Sequence, residues 1–241
     1  METPQPITVL AASYNIQKGI GTDFRRRPDR TLAVLHEIGA DIVVLQEADR
    51  RFGSRESALP LSAVAAHGWR CVPFETRPAS IGWHGNAVLV SDRVTIHGHS
   101  TLAIPALEPR GAVLADLSID GAHLRVIGMH LDLSGLWRRR QAQAVLGHLE
   151  RHPGDPPVLL MGDMNEWRQS AAVITDFSNL LDPVPTGPSF HARMPMAALD
   201  RIFVSRGTPV TDSGVHHSQR AVSASDHLPV WVRFALPGVA G

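Results

Sequence analysis

The chain has a single cysteine, Cys71, which cannot close an intramolecular disulfide, so neither a disulfide framework nor an oxidising compartment is called for. Its place between Arg70 and Val72, just after Trp69, reads as a small strand hydrophobe rather than a nucleophile. Aromatic residues are scarce, at 5%, which leaves few faces on which bases stack. Neither sign of charge is in excess: Lys+Arg and Asp+Glu both number 23. That balance argues against a dedicated non-specific DNA binder and leaves a local basic patch open. Met1 to Pro6 has no basic region followed by an apolar run, and the first apolar stretch, Ile7 to Ala12, is too short for a signal or a span. A cytoplasmic protein with no transmembrane segment is expected, and no obligate protein partner is evident. Repeats and low-complexity segments are also absent.

What is present is an ordinary globular composition, 44% hydrophobic and 19% charged over 241 residues, with no shift midway. One domain over 1–241 is expected, with its core over about 7–235. Apolar, β-capable runs at 7–14, 41–45, 69–74, 86–91, 94–102, 110–117, 124–131, 157–161, 199–204, 208–215 and 230–234 predict strands, with 94–102 at an edge and a hairpin turn at Asp120-Gly121. Helices are predicted from Pro28 to about Ile38, over 57–67, over 136–152 and over about 170–177. Residues 183–195 are too rich in Pro and Gly for regular structure. Short strands interleaved with helices and hairpins predict two sheets packed face to face and flanked by helices.

Many of these runs end in acidic, amide or imidazole side chains. The stretch Met161-Gly162-Asp163-Met164-Asn165-Glu166-Trp167 delivers an Asp and an Asn two residues apart, a spacing that in a strand puts both on one face. They converge there on a phosphate, a metal or an attacking water, or else form a strand-ending turn. Asn15, Glu47, His130, Asp200, Asp226 and His227 stand at similar places. Together these residues supply hard oxygen ligands, amide donors and imidazoles with no thiolate, which suits Mg²⁺ or Mn²⁺ better than zinc and suits phosphoryl chemistry. No Ser or Cys sits in an elbow motif beside a base, so water is the expected nucleophile.

Tyr14-Asn15-Ile16, Leu45-Gln46-Glu47, Gly85-Asn86-Ala87-Val88-Leu89, Met129-His130-Leu131, Gly162-Asp163-Met164-Asn165, Leu199-Asp200-Arg201-Ile202 and Ser225-Asp226-His227 resemble, in order, the motifs of the endonuclease/exonuclease/phosphatase superfamily. That superfamily includes deoxyribonuclease I, abasic-site endonucleases, neutral sphingomyelinases, inositol-polyphosphate phosphatases and the catalytic subunit of cytolethal distending toxin. The resemblance runs from Ile7 to about Phe234 and implies a four-layer α/β/β/α sandwich with the site at one end of the paired sheets. It implies a metal set of Glu47, Asn15, Asp226 and Asp163, with Glu47 the principal ligand. It implies Asp163 orienting or deprotonating the attacking water, Asn165 holding a phosphate oxygen, and His227 as general base or phosphate stabiliser paired with Asp200. His130 corresponds to the second histidine of the nuclease and sphingomyelinase branches. Arg110 resembles an arginine that contacts substrate phosphate and also fits a plain strand-start arginine, while Glu75 is a candidate to orient His130. Asp132 is read as a turn residue and Asn86 as structural.

The implied activity is metal-dependent hydrolysis of a phosphodiester by water. The alternative is an inactive phosphate- or nucleic-acid-binding module of the same fold. A nucleic-acid substrate needs a basic groove, for which Arg25, Arg26, Arg27, Arg50, Arg51, Arg55 and Arg110 are candidates. A phospholipid or head-group phosphodiester needs an apolar lip, for which Trp83, Trp137 and Trp167 are candidates.

Overall fold

Along β1 (Ile7–Asn15), Val9 and Ala11 point to one apolar layer and Ala12 and Tyr14 to another. A strand apolar on both faces has to be covered on both, and the computed structural model, which describes residues 5–50, 55–74, 79–107, 110–151 and 156–238, provides that cover. After β1 come a 3₁₀ turn at Gln17–Gly19, α1 (Pro28–Ile38), β2 (Ile42–Gln46), α2 (Leu61–Ala66), β3 (Arg70–Cys71) and β4 (Ala87–Val90). Then follow β5 (Val94–Leu102), β6 (Gly111–Ile119), β7 (Ala122–His130), α3 (Gly135–Glu150), β8 (Val158–Asp163) and α4 (Ala172–Ser178). The chain closes with β9 (Leu181–Val184), β10 (Asp200–Ser205), β11 (Val210–Val215), α5 (Gln219–Ala224) and β12 (Val230–Leu236).

These strands form two six-stranded mixed sheets, ordered β11-β12-β1-β2-β4-β3 and β5-β6-β7-β8-β10-β9. One apolar layer, with Val44, Val126, Met161 and Val232, lies between the sheets. A second holds Leu32 and Leu35 of α1 and Ala221 of α5 against the first sheet, and a third holds Ala142 and Val145 of α3 and Phe177 of α4 against the other. This is the α/β/β/α sandwich that the motifs imply. Each parallel pair, β1 with β2 and β7 with β8, is joined through a helix, as a parallel connection requires. Among the described residues, no helix is long and apolar enough to cross a membrane.

Register places the polar strand ends in rows. Gly111 pairs with His130, His130 with Asp163 and Asp163 with Asp200 in one sheet, and Asn15 pairs with Gln46 in the other. In β8, Leu159 and Met161 face the inter-sheet layer, so Asp163 continues that inner face and closes its end.

Several boundaries differ from the sequence expectation. The helix expected over 57–67 covers only Leu61–Ala66, and the strand expected over 69–74 keeps two paired residues, Arg70 and Cys71. The stretch expected to be irregular, 183–195, overlaps the end of β9, whose Pro183 has no N–H to donate and sits in an edge strand where that omission costs little. No element was expected at α5, which is short and is capped by Ser218 accepting from Ala221 N at 3.1 Å. The hairpin at Asp120-Gly121 has positive φ at both residues, 48° and 87°, as a two-residue hairpin loop demands.

Candidate active site

Asp163 is the hub of the polar end, almost without exposure at 1%. Its Oδ2 accepts from Asn15 Nδ2 at 2.9 Å and lies 3.3 Å from His130 Nε2 and 3.8 Å from His227 Nε2. Its Oδ1 accepts from the backbone N–H of Asn165 at 2.9 Å. Burial by itself raises the Asp163 carboxyl, but His227 and His130 outweigh it and hold the group well below the usual carboxylate range.

Asn165 is therefore not placed by strand alternation. It sits beyond β8 at φ 49°, in an Asx turn closed by Asp163, and its Nδ2 donates to Leu131 O at 2.9 Å. The i, i+2 spacing is the right clue for a different reason, because Asp and Asn are the residues that build this turn.

His227 is held from both sides. Its Nδ1 donates to Asp200 Oδ2 at 2.7 Å, and Ser189 Oγ donates to that same oxygen at 2.5 Å. Burial alone would lower the imidazole, yet Asp200 and Asp163 together push it up to about 10, so His227 is a cation at neutral pH. Ser225 Oγ donates to Asn15 O at 2.7 Å and accepts from His227 N at 3.2 Å, tying the His227 loop to the end of β1. Phe190 packs against the His227 ring at 4.9 Å and against Trp167 at 5.8 Å.

Glu47 follows β2 with the parity of Val43 and Leu45, which face the helices. Its φ of 53° breaks that alternation. Its carboxylate pairs with Lys18 Nζ, and although burial raises it, His130, Lys18 and Arg110 bring it below its ordinary value. Asp226 is raised by burial and also feels Glu47. Arg110 contacts His130 Nε2 through Nη1. A guanidinium only donates, so in that contact Nε2 accepts; facing Asp163 the same nitrogen must donate. One tautomer cannot do both, so these two contacts of His130 exclude each other.

The structure thus brings together Asn15, His130, Asp163, Asn165, Asp200 and His227, with Arg110 on His130 and Glu47 and Asp226 in electrostatic contact. Other candidates lie elsewhere. Asp132 Oδ1 accepts from Ser134 N at 2.9 Å in a turn, and buried Asn86 donates to Gly111 O at 3.0 Å. Arg25, Arg26 and Arg27 are exposed, and Arg27 pairs with Asp29. Trp83 packs on the inter-sheet core and Trp137 under Arg140, so of the proposed lip only Trp167, 63% exposed, stands out into solvent. Glu75 and Arg51 lie outside the described residues. Sequence reasoning missed Lys18, signalled only by its Gly-bearing loop after Asn15, and Ser189, for which the sequence carries no signal.

Comparison with known proteins agrees with the fold. The model of the Endonuclease/Exonuclease/phosphatase family matches residues 12–227. The chain is 26% identical over 257 residues to uncharacterized protein YbhP of Escherichia coli K12, covering 93% of this chain and 98% of that one. An endonuclease/exonuclease/phosphatase from Bacteroides vulgatus superposes with a TM-score of 0.76 at 17% identity, covering 95% and 99% of the two chains. D. rerio TDP2, in complex with a single-strand DNA product, superposes with a TM-score of 0.73 at 16% identity, covering 94% and 98%.

Proposed function

Because the chain belongs to the endonuclease/exonuclease/phosphatase family, whose members are phosphoester hydrolases, we propose that it is a Mg²⁺- or Mn²⁺-dependent phosphodiesterase that uses water as the nucleophile. The observation that carries this reading is the hub at Asp163, where a buried carboxylate is flanked by two imidazoles and an amide, with one imidazole fixed by Asp200.

A divalent cation fits the oxygen donors Glu47 and Asp226 with Asn15, and Glu47 already attracts a cation, the Lys18 ammonium. Asp163, Asp200 and His227 also bring ligand-type atoms within 4.8 Å of one another, but Asp200 and His227 are spent on each other at 2.7 Å. We therefore assign the cation to the Glu47 side and Asp163 to the water. A cation bound there supplies neutralisation of charge on the phosphoryl oxygens.

The protein's own residues carry the rest. Asp163, strongly acidic, accepts a hydrogen bond from the attacking water and orients it. His227, already protonated, serves as proton donor rather than general base. Water attacks phosphorus, the bond to the leaving oxygen breaks, and that oxygen takes the proton from His227. The proton lost by the water returns through Asp163, whose Oδ2 lies 3.8 Å from His227 Nε2. Asn165 donates to a phosphoryl oxygen. A phosphate beside His130 would draw Arg110 away, leaving His130 Nε2 to donate to Asp163 and resolving their mutual exclusion.

The test is hydrolysis of supercoiled plasmid and of bis(p-nitrophenyl) phosphate with Mg²⁺ or Mn²⁺, with identically prepared His227→Ala as control. Turnover by the wild type alone supports the reading, and plasmid nicking would make nucleic acid the substrate. Equal rates in the two proteins, or no metal-dependent turnover on either substrate, sink it.

A further inference from the structure

A pocket adjoins the site on the side of Glu47. Its inner wall is Glu47, Arg110 and His130, already described; its outer wall carries Arg50, Arg55 and His84, which the chemistry above does not use. The outer wall is cationic, and among the described residues two carboxylates stand near it: Asp49, which interacts electrostatically with Arg55, and Glu56, the partner of Arg50. Asp49 also lines the pocket, but its Oδ2 accepts from Ser80 Oγ at 2.7 Å and its Oδ1 from Ile81 N at 3.1 Å, turned into the protein. Glu47 is answered by Lys18. Arg50 pairs with Glu56 at 2.9 Å, but both side chains are about half exposed, and such a pair yields readily to a stronger anion.

Arg55 Nη1 lies 2.8 Å from His84 Nδ1. A guanidinium has no acceptor, so His84 Nδ1 accepts and its proton sits on Nε2, which makes the pair a set of donors. Three chain segments are tied together behind it: Ala48 N to Gly85 O at 2.9 Å, Arg50 N to Glu56 O at 2.8 Å and Ser57 N to Ala79 O at 2.7 Å. Backbone strain collects here too. Among the described residues eight non-glycine residues have positive φ, and Lys18 (57°), Glu47 (53°), Arg55 (52°) and His84 (48°) all line this pocket. That conformation is unfavourable for a residue with a Cβ and persists where the surroundings hold it, commonly at ligand sites.

We propose that Arg50, Arg55 and His84 form a second anion subsite, which holds a phosphate neighbouring the one being cleaved. Donors converging from three segments suit a tetrahedral phosphate, which accepts from several directions. The inference rests on the phosphodiesterase reading and narrows it to phosphodiesters that carry a second phosphate.

The test compares kcat/KM, with Mn²⁺, for methyl p-nitrophenyl phosphate, for p-nitrophenyl thymidine 3′- and 5′-phosphates bearing a second phosphate at the other hydroxyl, and for a base-free phosphopropyl p-nitrophenyl phosphate. At least one nucleotide and the base-free bisphosphate are expected to exceed the simple diester by about tenfold or more. In Arg55→Ala that ratio should collapse toward one, and in Arg55→Lys it should partly survive, with equal melting temperatures excluding misfolding. A wild-type ratio near one, a ratio that persists in Arg55→Ala, or a gain that needs the base would each overturn the subsite. Failure of wild type on every substrate would instead strike the phosphodiesterase reading, and the subsite would fall with it.

Discussion

His227 and Asp200 form a buried ion pair, Nδ1 to Oδ2 at 2.7 Å, in which the carboxylate is 0% and the histidine 6% exposed. The carboxylate fixes which ring nitrogen is turned toward Asp163, since Nδ1 is spent on Asp200 and Nε2 is the atom 3.8 Å from Asp163. Asp200→Asn keeps the shape and removes the charge. It should lower kcat on a chromogenic phosphodiester by about 10²- to 10⁴-fold with little change in KM. A loss confined to KM would mean that Asp200 serves binding and not the tautomer.

The same pair makes stability depend on pH. The folded His227 titrates at about 10 against an ordinary 6.5, so the folded state holds the proton more tightly than the unfolded chain does. Its contribution is fully present below about pH 6.5 and is lost as pH rises through 10. In metal-free protein, the melting temperature of the wild type should exceed that of His227→Gln most near pH 6, with the gap closing toward pH 10.5. A gap that widens with pH would contradict a charged, stabilising imidazolium.

Gly162 in β8 tests the backbone beneath the site. Its φ is 156°, and a Cβ there would lie 1.9 Å from the carbonyl oxygen of Met129 in β7. Strand backbone cannot move aside without disturbing the row that pairs His130 with Asp163. Gly162→Ala should therefore cost about 3 kcal/mol or more in urea unfolding. Gly207→Ala, at φ 76° with nothing within 4 Å of its Cβ, should cost only about 1 kcal/mol. Similar losses at the two positions would show that the close approach is not the cause.

The layers were legible because the strands are apolar and alternate, and because acidic, amide and imidazole side chains stand at the strand ends that share one end of the sandwich. What resisted reading was anything set by tertiary contact. Glu47 has the wrong strand parity for the site and reaches it only through φ 53°, and Asn165 is placed by a turn at φ 49°. Ser189 joins Asp200 across eleven positions of an irregular loop, and neither residue type nor spacing marks it. Pro183 argues against a strand in any local reading, yet β9 forms because the edge of a sheet tolerates a missing donor.

Lys18 supplies the remaining prediction, because its ammonium lies on the carboxylate assigned to the cation. Without metal it compensates Glu47, which is largely withdrawn from water; with metal bound the two cations compete for the same oxygens. Lys18→Met should thus destabilise the metal-free protein and bind Mn²⁺ more tightly. The rise in melting temperature on adding saturating Mn²⁺ should be larger in the variant than in the wild type, since a ligand stabilises by RT ln(1 + [L]/Kd) and Kd falls. Glu47→Gln should abolish most of that rise in either background. If Lys18→Met binds Mn²⁺ more weakly than the wild type, Lys18 supports the cation's site instead of competing for it.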